Sequence, residues 1–209
     1  HCAGDARLDL ALAEGQRVHV QGAIELLRLC AEAQARGGLR RLNHVSSAWV
    51  AGRTGLAEVG ADALPEDRPE LFRNAWERTQ ARAERLLRAR WRELPITIYR
   101  PSFLCGESET GRTGPAGAVS RLIALLAAGG LPFLPGGDAA RLDCVPVDHA
   151  AAGILALARR EDTRGRAFHV VAGGQAPSLA RVIEEVAAGL ARRAHGAARV
   201  PARGPAPGL

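Results

Sequence analysis

Along residues 17–36 the apolar positions Val20, Ile24, Leu27 and Ala31 recur every three to four residues between polar neighbours. That spacing predicts a helix with one buried face, and Gly37-Gly38 supplies a left-handed stop. The next run, L-R-R-L-N-H-V-S-S-A, is short, apolar at its centre and closed by small polar residues. It predicts a buried strand from about Arg41 to Ser46 that opens into a loop. After D-A-L-P-E-D-R-P a long helix is expected from about Pro69 to Glu93, and Pro95 then begins the strand P-I-T-I-Y-R.

Past Pro101 the pattern changes. A glycine-rich loop, C-G-E-S-E-T-G-R-T-G-P-A-G, leads into the helix A-V-S-R-L-I-A-L-L-A-A and a glycine stop at 129 and 130. A strand-like R-L-D-C-V-P-V, a helix with Asp148 as N-cap, the strand A-F-H-V-V and a last helix from about Ser178 to Arg193 complete the order. Strands separated by helices of this length imply parallel pairing through crossovers, hence an α/β layer fold. The tail from Gly196 to Leu209 has too little apolar content to pack and is expected to be disordered.

Composition narrows the class. With 47% hydrophobic residues in 209, the chain can bury one sizeable core, and no stretch reaches the roughly 20 uncharged apolar residues of a membrane span. No basic segment followed by an apolar run opens the chain, so a cytoplasmic protein is expected. Cys2, Cys30, Cys105 and Cys144 form no C-x-x-C pair, and neither His19 nor His44 has a carboxylate or cysteine at ligand spacing, so no metal site is expected. The net charge of +6 raises nucleic acid as a partner, but the arginines are scattered and aromatics make up only 4%. All 28 basic residues are arginine; there is no lysine.

Six segments together carry a resemblance. They are H-C-A-G at the start, V-H-V-Q-G at 18–22, V-S-S-A-W-V-A-G at 45–52, N-A-W-E-R-T-Q-A-R-A-E at 74–84, Y-R-P-S-F-L-C-G-E-S-E-T-G from Tyr99, and D-C-V-P-V-D-H from Asp143. In this order the chain resembles the extended short-chain dehydrogenase/reductases, most nearly the thioester-reductase and fatty-acyl-reductase branch, over residues 1–190. The resemblance implies a Rossmann-like parallel sheet flanked by helices, with a core over residues 1–114 and a small C-terminal α/β substrate region over 115–195. It implies NADP(H), or NAD(H), as cofactor and an acyl thioester, carried on a carrier protein, as substrate.

Residue by residue, the resemblance places Ala3 and Gly4 at a turn passing the cofactor ribose and Pro101 and Ser102 beside the nicotinamide carboxamide. Ser47 falls at a serine or threonine that binds the substrate carbonyl; a serine capping the strand end is the plainer account of the same residue. Trp76 and Gln80 fall where the family has a tyrosine and, one helical turn on, a lysine. There a phenol donates a proton while an ammonium lowers its pKa. An indole N–H has no accessible proton to give up, and a glutamine amide carries no charge. Tyr99 is the only tyrosine, so no neighbour can substitute.

A strand, glycine-rich turn and helix that hold the pyrophosphate would precede His1 in this family, and no G-x-G-x-x-G occurs in the chain. The expectation is therefore a sheet lacking its first strands, with an exposed edge open to self-association. Two readings stay open, an incomplete nicotinamide-dependent reductase and a reductase-like binding module without hydride transfer.

Overall fold

The computed structural model describes residues 1–56, 58–114, 117–128 and 140–194. The expected glycine stop at 129 and 130 and the expected disordered tail lie outside them. The chain divides into two units, residues 1–102 with 150–171, and residues 103–149 with 172–209.

The first unit is built on a parallel sheet of β1 (Leu42–Val45), β2 (Ile96–Pro101) and β5 (Arg166–Val170), in the order β1-β2-β5. Every residue of β2 is buried, as befits a strand with a neighbour on each side. The His1 backbone adds to the outer side of β1, its amino group donating to Asn43 O at 2.7 Å and its carbonyl accepting from Val45 N at 3.0 Å. That is the bonding pattern of a parallel neighbour.

The predicted helix over 17–36 is three pieces, α1 (Leu12–Gly15), a π-helical turn (Gln16–Gln21) and α2 (Gly22–Ala35). The wider turn rotates the buried face, so His19, Ala23, Leu27 and Cys30 point inward, while Val20, Ile24 and Ala31 are only half-buried. Leu27 and Cys30 pack with Leu42, Leu87, Leu94, Ile96, Ile98 and Ala167 into the main core.

The helix expected from Pro69 starts later: α3 is Ala75–Ala89. Asn74 caps it, its Oδ1 accepting from Glu77 N at 2.9 Å, while the Glu77 carboxylate accepts from Arg73 N at 2.9 Å. Pro69–Leu71 is a separate 3-10 turn, whose last carbonyl binds Arg53 N at 2.7 Å. Gly52, at φ +64°, allows that approach, because a Cβ there would collide with Leu71 O.

In the second unit β3 (Phe103–Cys105) pairs in parallel with β4 (Cys144–Pro146), and α4 (Ala118–Ala127) packs against β3 and α6 (Leu179–Ala194). The helix after β4, α5, runs Val147–Ala158. Asp148 lies inside its first turn and is not its N-cap. The carboxylate instead accepts from Ser108 N at 3.0 Å and Ser108 Oγ at 2.6 Å, because Val147 already starts the helix directly from the strand.

Candidate functional site

Three chain segments leave the same end of the first unit's sheet. Cys2 to Asp5 follow His1, Ser46 and Ser47 follow β1, and Ser102 follows β2. These are the carboxyl ends of parallel strands, the end at which open α/β sheets bind ligands. Helix α3 stands against the same region.

Trp76, Gln80 and Glu84 are four residues apart and so share one face of α3. The buried Trp76 donates from Nε1 to Asp5 O at 2.6 Å. Gln80 follows one turn on, and its Nε2 would lie 3.8 Å from a Cβ built on Gly4, as would Cδ2 of His19. The structure thus brings Gly4, Trp76 and Gln80 together, with His19 as a fourth member.

His19 is 5% exposed. Thr79 Oγ1 donates to the Ala75 carbonyl at 2.9 Å and lies 2.9 Å from His19 Nδ1. His19 Nε2 lies 3.3 Å from Asp5 N and 3.2 Å from Asp5 O. Burial holds the imidazole below its ordinary pKa. The Asp5 backbone is thus held by both Trp76 and His19.

Ser47 is buried and extended, at φ −150° and ψ 149°. Its Oγ accepts from Trp49 N at 3.2 Å and so caps the 3-10 turn Ala48–Ala51. Among the described residues no acceptor takes the hydroxyl proton. Pro101 ends β2, and Ser102 N binds Val170 O at 3.2 Å, while the buried Ser102 Oγ has no partner among the described residues. Ala3 is exposed.

Below Gln80 lies a polar cluster that periodicity does not signal. Fully buried Glu84 accepts from Ser46 Oγ at 2.6 Å, from Arg88 Nε at 2.8 Å and from Arg100 Nη2 at 2.7 Å. Arg100 is fully buried as well. Both ends were visible in the sequence, as the last residue of N-A-W-E-R-T-Q-A-R-A-E and the middle of Y-R-P. Their pairing is a contact between segments and has no local signature. Among the described residues no group of three or more metal-ligating side chains gathers, and no helix is long and apolar enough to cross a membrane.

Comparison with known proteins identifies the family. The family model described as male sterility protein, an NAD-binding family, matches residues 1–154. The nonribosomal peptide synthetase FrzA of Cladobotryum sp is 36% identical over 152 residues, 68% of this chain and 14% of that protein. The aldehyde reductase lnbA of Aspergillus flavus is 35% identical over 158 residues, 72% of this chain and 15% of that protein. The chain therefore spans about one seventh of the length of these relatives. Among solved structures, the terminal R domain of the myxalamid PKS-NRPS biosynthetic pathway aligns with a TM-score of 0.70 at 28% identity, over 80% of this chain and 41% of that one. RMD from Pseudomonas aeruginosa, solved with NADPH, shares the fold at a TM-score of 0.66 and 19% identity, over 90% of this chain and 63% of that one.

Proposed function

Because the chain belongs to the NAD-binding male sterility protein family, we propose that it forms part of a nicotinamide-dependent reductase domain acting on an acyl thioester or a related carbonyl. Ser47 carries this reading. Its oxygen is anchored by Trp49 N, so its remaining proton is held in place to donate to a substrate carbonyl. The cofactor fits the residues present: the unpartnered Ser102 Oγ beside Pro101 can take up a carboxamide, and Gly4 leaves room for close approach. When bound, a reduced nicotinamide supplies hydride.

What the chain does not supply is the proton. The Trp76 indole N–H is committed to Asp5 O, and Gln80 is neutral. Losing a general acid costs about 10²- to 10⁴-fold in rate, or roughly 3 to 5 kcal/mol of barrier. That commitment favours a second reading, a module that binds cofactor or an acylated carrier without transferring hydride.

The experiment is NADPH oxidation with acyl thioesters and aldehydes by the full natural polypeptide, unaltered and as Trp76→Tyr with Gln80→Lys. The paired substitution is expected to raise turnover by about 10²- to 10⁴-fold. No gain, with cofactor binding intact, would overturn the carbonyl-site reading. Turnover by the unaltered protein that Trp76→Ala abolished would overturn the binding-module reading.

A further inference from the structure

Two of the four cysteines, 39 residues apart in sequence, meet in the second unit. Cys105 ends β3 and Cys144 begins β4, with Phe103 opposite Cys144 and Cys105 opposite Pro146. A two-residue offset keeps both side chains on one face of the ladder, since side chains alternate along a strand. Both thiols are free and half-buried, and each perturbs the titration of the other. Cys30 is buried in the other unit's core and Cys2 is exposed, so neither belongs to this pair.

We propose that Cys105 and Cys144 are an oxidisable dithiol, a covalent modification site closed to a disulfide by a hydroperoxide and reopened by a dithiol reductant. Cys105 acts first. Burial raises both thiols; at Cys144 the neighbouring Cys105 and Asp143 add to it and push the thiol up to about 11, whereas at Cys105 the presence of Cys144 offsets part of the rise, so Cys105 is the less suppressed of the two. Its burial and the neighbouring Asp148 keep the reaction slow.

With hydrogen peroxide, the Cys105 sulfur attacks one oxygen, the O–O bond breaks, and with the thiol proton the other oxygen leaves as water (as the alcohol from an alkyl hydroperoxide), giving the sulfenic acid. The Cys144 sulfur then attacks the Cys105 sulfur, the S–O bond breaks, and a second water carries away the Cys144 proton. Each sulfur has given up one electron to the peroxide. Parallel strands lie about 4.8 Å apart and rise about 3.3 Å per residue, which puts a two-residue diagonal at about 8 Å between Cα atoms, and disulfides mostly span about 4.4–6.8 Å. Closure therefore requires the backbone to move by about an ångström or more, and the bond is the labile kind that reductants reopen. It ties Phe103–Cys105, the residues directly after Ser102, to the strand that opens into α5.

The test treats the full polypeptide, carrying Cys2→Ser, with hydrogen peroxide, alkylates it and maps the peptides by mass. The expected result is one cross-linked pair, Cys105 with Cys144, and both thiols recovered after dithiothreitol. In Cys144→Ser, Cys105 should stop at a sulfenic acid that dimedone captures, and in Cys105→Ser, Cys144 should stay alkylatable. The proposal is overturned if both thiols of the unaltered pair remain alkylatable, or if Cys105 passes to the sulfinic acid while Cys144 stays free.

Discussion

Glu84 receives hydrogen bonds from Ser46, Arg88 and Arg100 and is wholly buried, so its removal strands a guanidinium that is itself fully inside. Breaking one side of a buried pair costs about 3–5 kcal/mol. Glu84→Ala should lower unfolding free energy by about that much in denaturant titration, while Glu77→Ala, whose partner Arg73 is exposed, should cost less. The two buried histidines set a pH response. Burial holds His19 low and is the main cause that drives His44 down to about 4. The folded state thus binds these protons less readily than the unfolded one. Stability is full above the ordinary histidine value of about 6.5 and is lost as pH falls toward 4. Melting temperature followed across that window should drop, and less steeply in His19→Gln. The types at Ser47, Trp76 and Gln80 were legible in the sequence; the partners of Glu84, His19 and Asp148 were not. A polar letter says that a group needs a partner, and its partner can lie tens of residues away.

Strand positions and the order of helices were legible because hydrophobic periodicity reports local burial, and β1, β2 and β5 fall where their apolar runs do. The departures occur where backbone geometry leaves the regular menu. A π-helical turn keeps a helical composition while changing the face, so Val20, Ile24 and Ala31 yield the deepest positions to His19, Ala23 and Cys30. The start of α3 was set by the Asn74 cap and by the Leu71 carbonyl that Arg53 holds, which no propensity up to Pro69 could overrule. The approach of α1 to α3 depends on one missing side chain. A Cβ on Gly15 would come within 2.6 Å of Thr79 Oγ1, the oxygen that His19 also uses. Gly15→Ala should cost about 1–3 kcal/mol through overpacking, and it should displace His19, visible as a shift in the imidazole resonances.

At the scale of the whole molecule, the first unit is not continuous in sequence: the chain leaves it after Ser102 and returns at Ala150. β2 holds β1 on one side but obtains its other neighbour only from Arg166–Val170. A protein ending at residue 149 should therefore expose one edge of a wholly buried strand and elute as aggregates in size-exclusion chromatography to a greater extent than one ending at residue 194. The same arrangement has a cost during synthesis. While the ribosome makes residues 103–165, the segment Ile96–Pro101 is already outside or emerging, destined for burial on both faces and unmatched along one side. Until Val170 appears, that strand is the nascent chain's point of greatest danger, and a chaperone that shields extended apolar segments would find its client there.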